Sequence, residues 1–153
     1  SDPYGGSVPN RCRILLDLCG QLIKRFGEHR IVVRISPSRQ MNGLYDWPDL
    51  SAMLAYLIPS LDHLGLRMLD VSCASSNYFE TSGRVIHQIR SQWPHLLMGG
   101  ASLTADEAEN ELIQGLDLIT WGRTLIANPD FVQKIKQGKP LAAFDPSLLK
   151  SLV

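Results

Sequence analysis

Four short apolar runs, separated by longer stretches whose apolar residues recur every three or four positions, constrain this chain more than any single motif. Ile31–Ser36 (IVVRIS) is β-branched and apolar on both parities, which predicts a strand buried on both faces of a parallel sheet. Arg67–Cys73 (RMLDVSC), His95–Met98 (HLLM) and Leu116–Trp121 (LDLITW) read as three further strands. A leading helix runs from Asn10 to about Arg25 on the stripe Ile14, Leu15, Leu18, Leu22 and Ile23, with Ser7 or Asn10 as its cap and Gly27 as its end. Leu50, Leu54, Leu57, Ile58, Leu61 and Leu64 mark a second helix, opened by Pro48, closed by Gly65 and kinked at Pro59. Ser82–Trp93 is a third, and Thr104-Ala105-Asp106-Glu107 is a capping box that starts a fourth, ended by Gly115. Asn128-Pro129-Asp130 opens a last helix to about Gln137, before a return segment with one turn at Pro146–Leu149. Pro37–Asp46 and Ala74–Thr81 read as loops.

The order is helix, then strand–helix four times, which demands parallel strands joined by right-handed crossovers. Four βα units build either a small open α/β sheet or half of an eight-stranded barrel. The pattern leaves both open.

At 153 residues the chain is one domain's worth. Fifteen basic and fifteen acidic residues give a formal net charge of zero, so there is no electrostatic ground for nucleic acid or an anionic membrane surface as partner. No apolar run approaches the ~18–20 residues of a membrane span. Cys12, Cys19 and Cys73 are odd in number with no C-x-x-C spacing, which points to a reducing, cytoplasmic compartment. The chain opens on Ser1 without a methionine and runs straight into SDPYGG, so a fragment or processed product is the expectation.

The chemistry concentrates in His95–Arg123, where two successive strands stop at glycine: Gly99-Gly100, then Gly122 followed by Arg123. Glycine lets a backbone approach a ligand, and a guanidinium takes two phosphate oxygens in a fork. In barrels the loops after the last two strands often hold a phosphate. Arg34, inside an otherwise apolar strand, is costly unless paired, with Asp70 at the comparable position of the next strand, or unless it faces a ligand. Tyr45, Trp47, Tyr78 and Phe79 fall in loops after strands, where either loop packing or a ligand would use them. His29, His63, His87 and His95 match no metal spacing, and no G-x-S-x-G or G-K-[ST] motif is present.

These residues carry a resemblance. SDPYGGSVPNRCRILLD resembles the D-x-Y-G-G-S-x-x-N-R stretch of the old yellow enzymes, the FMN-dependent ene-reductases. IVVRISP is similar to that family's fifth barrel strand, MGGAS to its seventh strand end, and TWGRTLIANPDFVQKI to its eighth strand and closing helix. The resemblance implies an α/β fold of four consecutive βα units, strands 5–8 of a TIM (β/α)8 barrel, with residues 1–153 as the carboxyl-terminal half-barrel. It implies FMN as cofactor, NADPH or NADH as reductant and a small activated alkene as substrate. Carried over residue by residue, Arg34 matches the arginine at the flavin N1/O2 edge. Gly100, with Gly99 or Ala101, matches the backbone at the FMN phosphate, and Gly122 and Arg123 match the rest of that cradle. Tyr78 and Phe79 match a loop that borders the substrate. The family's substrate-binding His/His or His/Asn pair and its proton-donating tyrosine belong to strands one to four and have no match here. The expectation is a chain inactive alone, completed by an amino-terminal half or by self-association. The rival readings are a non-catalytic flavin- or phosphate-binding module and some other phosphate-binding barrel enzyme.

Overall fold

A computed structural model describes residues 2–40, 42–73 and 76–151. The chain divides into two compact units, Ser1–Ile119 and Thr120–Val153.

In the first unit, helix α1 (Val8–Phe26) begins where the Ser7 hydroxyl accepts from the Asn10 N–H, and Pro9 sits in its first turn. It ends at Gly27, whose φ of 88° a side chain would resist. Strand β1 (Val33–Ile35) is shorter than IVVRIS and is buried on one face only: Val33 and Ile35 are covered while Val32 and Arg34 are exposed. Next comes a feature the sequence reading missed. Ser38–Gln40 (β2) and Leu44–Asp46 (β3) form an antiparallel hairpin turned at Asn42-Gly43, both at positive φ. The polar Ser-Arg-Gln run lacks the apolar alternation that flags a strand.

Helix α2 (Leu50–His63) buries Met53, Leu54, Leu57, Ile58 and Leu61, and keeps Pro59 inside it. Strand β4 (Met68–Ser72) follows, then α3 (Ser82–Ile89), β5 (Leu96–Gly100), α4 (Ala105–Ile113) and β6 (Leu118–Ile119). The capping box is made as expected, with Thr104 Oγ1 accepting from the Glu107 N–H and Glu107 accepting from the Thr104 N–H. The last strand is two residues rather than six. Leu116 instead closes α4, its N–H donating to Glu111 O, and fills the core. Of the predicted loop Ala74–Thr81, Ala74 and Ser75 lie outside the described residues.

The four strands β1, β4, β5 and β6 are hydrogen-bonded in that order and all parallel. Val33, Ile35, Leu69, Val71 and Leu97 lie on one face with α2 and α3 residues Leu54, Leu57, Ile58, Val85, Ile86 and Ile89 in the buried core. The register aligns Arg34, Asp70, Met98 and Leu118 as one row across the other face.

The second unit holds two short helices, α5 (Arg123–Ala127), which the sequence reading did not anticipate, and α6 (Phe131–Lys136). A 3-10 turn follows at Pro146–Ser151. Its centre is Asn128, fully buried. The amide donates to Thr124 O and Ala142 O, each at 3.0 Å, and accepts from Ala142 N at 2.8 Å and Lys134 Nζ at 2.9 Å. The asparagine that opens Asn-Pro-Asp is thus a structural knot. No helix among the described residues is long and apolar enough to cross a membrane.

Candidate functional site

Arg34 reaches Asp70 directly, Nε donating to Oδ2 at 2.7 Å. The Asp70 side chain is 5% exposed and that of Arg34 64%. The expected ion pair with Asp70 is made, and the arginine side chain is otherwise exposed. Ser72 Oγ donates to the second carboxylate oxygen, and Ser36 Oγ donates to Ser72 O, so hydroxyls tie β1 to β4 beside the pair. These groups lie toward the carboxyl ends of parallel strands, where such sheets bind ligands.

The two glycines of β5 differ. Gly99 shares a register row with Ile35, Val71 and Ile119, on the helix face. A methyl built there would run into Ile86 Cδ1 and lie 3.3 Å from Val71 O. Its missing side chain serves helix–sheet packing. Gly100 has the opposite parity, that of Arg34 and Asp70; it pairs with Ser72, and its carbonyl accepts from Ser82 Oγ at 3.3 Å. Ala101 is half-buried in the loop that follows. Ser102, one residue on, adopts φ 48°, an uncommon conformation for a non-glycine, and its hydroxyl donates to Ser76 O at 2.9 Å. That strained loop residue had no sequence signal.

Gly122 and Arg123 lie in the second unit. Gly122 is exposed with open space where a side chain would stand, and it precedes α5. The exposed Arg123 guanidinium lies 6.0 Å from the Phe144 ring centroid.

Tyr78, in the loop after β4, points into the core. It is 1% exposed, and its hydroxyl donates to Glu111 Oε2 at 2.6 Å. Burial, then the neighbouring Glu111 carboxylate, pushes the phenol far above its usual range. His87 Nε2 reaches the same oxygen at 3.0 Å. The tyrosine is a core residue joining the loop after β4 to α3 and α4, whereas Phe79 beside it keeps half its surface in solvent. The loop aromatic Tyr45 is exposed under Arg39, whose guanidinium lies 4.8 Å from the ring centroid. Among the described residues, no group of three or more His, Cys, Asp or Glu side chains could hold a metal ion.

Toward a flavin, Arg34 offers an exposed guanidinium on the face that α2 and α3 leave uncovered, while Gly100, itself buried, puts no side chain on that face.

Residues 1–142 match the NADH:flavin oxidoreductase / NADH oxidase family. The chain is 31% identical over 148 residues to a probable flavin mononucleotide-dependent alkene reductase of Leishmania infantum, covering 96% of this chain and 40% of that protein. It superposes on morphinone reductase in complex with tetrahydroNAD with a TM-score of 0.80 and 30% identity, over 97% of this chain and 40% of that one. The old yellow enzyme homologue of Zymomonas mobilis gives a TM-score of 0.80 at 25% identity, over 96% and 42%. The chain thus spans about 40% of the length of these relatives. Its parallel α/β fold is shared with these solved structures, and the chain belongs to the flavin oxidoreductase family of the old yellow enzymes.

Proposed function

We propose that this chain is the second half, strands five to eight, of a (β/α)8 ene-reductase barrel. In this reading Arg34 meets the ring edge of FMN, and Gly100 with Ala101 meets the phosphate. Gly99 supports them from the helix side, and Gly122 and Arg123 carry over as phosphate contacts by resemblance. The observation that carries it is Arg34, a cation left exposed on a strand face that the helices do not cover. Bound FMN would supply the hydride relay from NADPH or NADH to an activated alkene. The chain's own residues hold and orient: Arg34 places positive charge where the ring edge gathers negative charge, and Gly100 removes a side chain from the phosphate's approach. Phe79, exposed after β4, borders the substrate in this reading; Tyr78 supports that loop from the core.

The substrate-binding histidine pair and the proton-donating tyrosine have no match in this sequence, so in this reading turnover awaits an amino-terminal half-barrel that carries them; a second copy of the chain would cover open strand edges but bring neither. The second reading, a flavin-binding module without catalysis, draws on the same fact that the chain spans about 40% of its relatives. Quenching of FMN fluorescence on titration with the chain, alone and with the amino-terminal half of a relative, tests both. Quenching in the mixture with alkene-dependent NADPH oxidation is the expected result. Quenching without turnover favours the module, and no quenching in either arm refutes the flavin reading.

A further inference from the structure

Arg34 and Asp70 are Cα partners on adjacent strands, yet their pairing is lopsided. Both carboxylate oxygens of Asp70 are used, Oδ2 by Arg34 Nε and Oδ1 by Ser72 Oγ, and the side chain is buried. The guanidinium uses only Nε; neither terminal nitrogen makes a hydrogen bond to a described residue, and the side chain is largely in solvent. An ion pair made solely to neutralise the two charges has a better option, the fork in which both terminal nitrogens meet both oxygens. Bonding through Nε fixes the plane of the guanidinium and leaves the fork unspent.

We propose that Asp70 is a positioning residue. It clamps Arg34 by Nε, so that the two terminal nitrogens stand preset for a planar, partly anionic ligand edge on the open face. Ser72 holds Asp70 from its other oxygen, and Ser36 ties the two strands together one step further along. The carboxylate also sets the class of ligand. Its charge offsets that of the guanidinium, so the pair presents directed donors with little net charge. That suits the delocalised nitrogen–oxygen edge of a flavin ring better than a phosphate dianion. This inference rests on the flavin reading above for its ligand, though not for its geometry.

The test uses the isotopically labelled full chain. The Arg34 Nε–H resonance, identified by its loss in Arg34→Lys, is expected to exchange slowly with water in the wild type. It should exchange as fast as that of an exposed arginine such as Arg25 in Asp70→Ala. Should Asp70→Ala fail to fold, Asp70→Asn keeps the shape and removes the charge, and faster exchange is again expected. FMN affinity should fall about tenfold or more in either Asp70 variant. It should fall no further when Arg34→Ala is added, because the two residues act as one unit. A wild-type Nε–H as labile as that of Arg25, or FMN affinity unchanged by both Asp70 variants, overturns the proposal. A slow Nε–H lost on substitution, in a chain that takes no FMN, supports the clamp and counts against the flavin reading alone.

Discussion

A methyl group on Gly83 would stand 2.5 Å from Tyr78 Cε1 and 2.8 Å from Cδ1, so the ring occupies the space a side chain would need. Ring and glycine belong to one arrangement: Gly83 lies in α3, Tyr78 in the loop before it, and the phenol ends on the buried Glu111 of α4. Gly83→Ala is expected to cost about 1–3 kcal/mol through overpacking. Tyr78→Phe leaves Glu111 with one donor fewer and costs about 1–3 kcal/mol by a different route. Urea unfolding of both single variants and the double variant checks this. The double variant should lose less than the two costs added, because without the Glu111 bond the ring is freer to yield to the methyl. A strictly additive result would show that ring and glycine are not in contact. Sequence could name Tyr78 as a loop aromatic but not find Glu111, which lies 33 residues away. Likewise Gly99 and Gly100 look alike in the chain, and only the register that pairs Gly99 with Val71 and Gly100 with Ser72 shows which faces the helices. Arg34 was legible, because a charge in a strand of β-branched residues has few destinations.

At the scale of elements, the amino-terminal ends of β4 and β5 are joined to α2 by charge. His95 Nε2 donates to Asp62 Oδ1 at 2.6 Å, Arg67 Nη1 donates to the same oxygen at 2.9 Å, and Arg67 Nε lies 3.3 Å from Glu28 Oε2. The hydrogen bond from His95, aided by the charges of His95 and Arg67, holds the Asp62 carboxyl below its ordinary value of 3.8 against a smaller opposing effect of burial. A carboxyl whose folded pKa is depressed contributes stability that is present above the unfolded pKa and is lost as pH falls through the folded one. Asp62→Asn should therefore unfold at lower urea than the wild type at pH 6, and the gap should close as the pH falls below the ordinary aspartate range. Both partners are partly solvated, so the gap is small and should shrink in salt. A gap that widens in acid would contradict the assignment. The helices and the order of the parallel strands were legible because long 3.6-residue stripes and caps such as Thr104 are local signals. The hairpin Ser38–Asp46 and the five-residue α5 were not, since polar strands and single helical turns owe their form to partners distant in sequence. The hairpin is an example: Arg84 of α3 donates to Asp46 at 2.7 Å and to Ser38 Oγ at 3.0 Å.

For the molecule as a whole, the exposed apolar side chains of the first unit are unevenly placed. Ile14 and Leu18 project from α1, and Leu112 and Ile113 from α4, with Ile113 at 78% exposure. Val32, just before β1, and Leu118 in β6 are also exposed, and these two strands are the edges of the four-stranded sheet. The inner strands β4 and β5 have neighbours on both sides, and α2 and α3 expose only Tyr56 among their large hydrophobic residues. Apolar surface left at the ends of a parallel βα layer, beside unpaired strand edges, favours association. Sedimentation of the chain should therefore show a concentration-dependent shift to higher mass. Ile14→Glu with Leu18→Glu, on an exposed helix face, should weaken that shift while leaving the far-ultraviolet dichroism unchanged. Adding the amino-terminal half of a relative should compete with self-association, because both would occupy the same edges, and the competition should weaken in the same double variant. A chain that sediments as a monomer at all concentrations and ignores the added half would mean that these edges are closed by some other device, and the half-barrel reading would lose its physical basis.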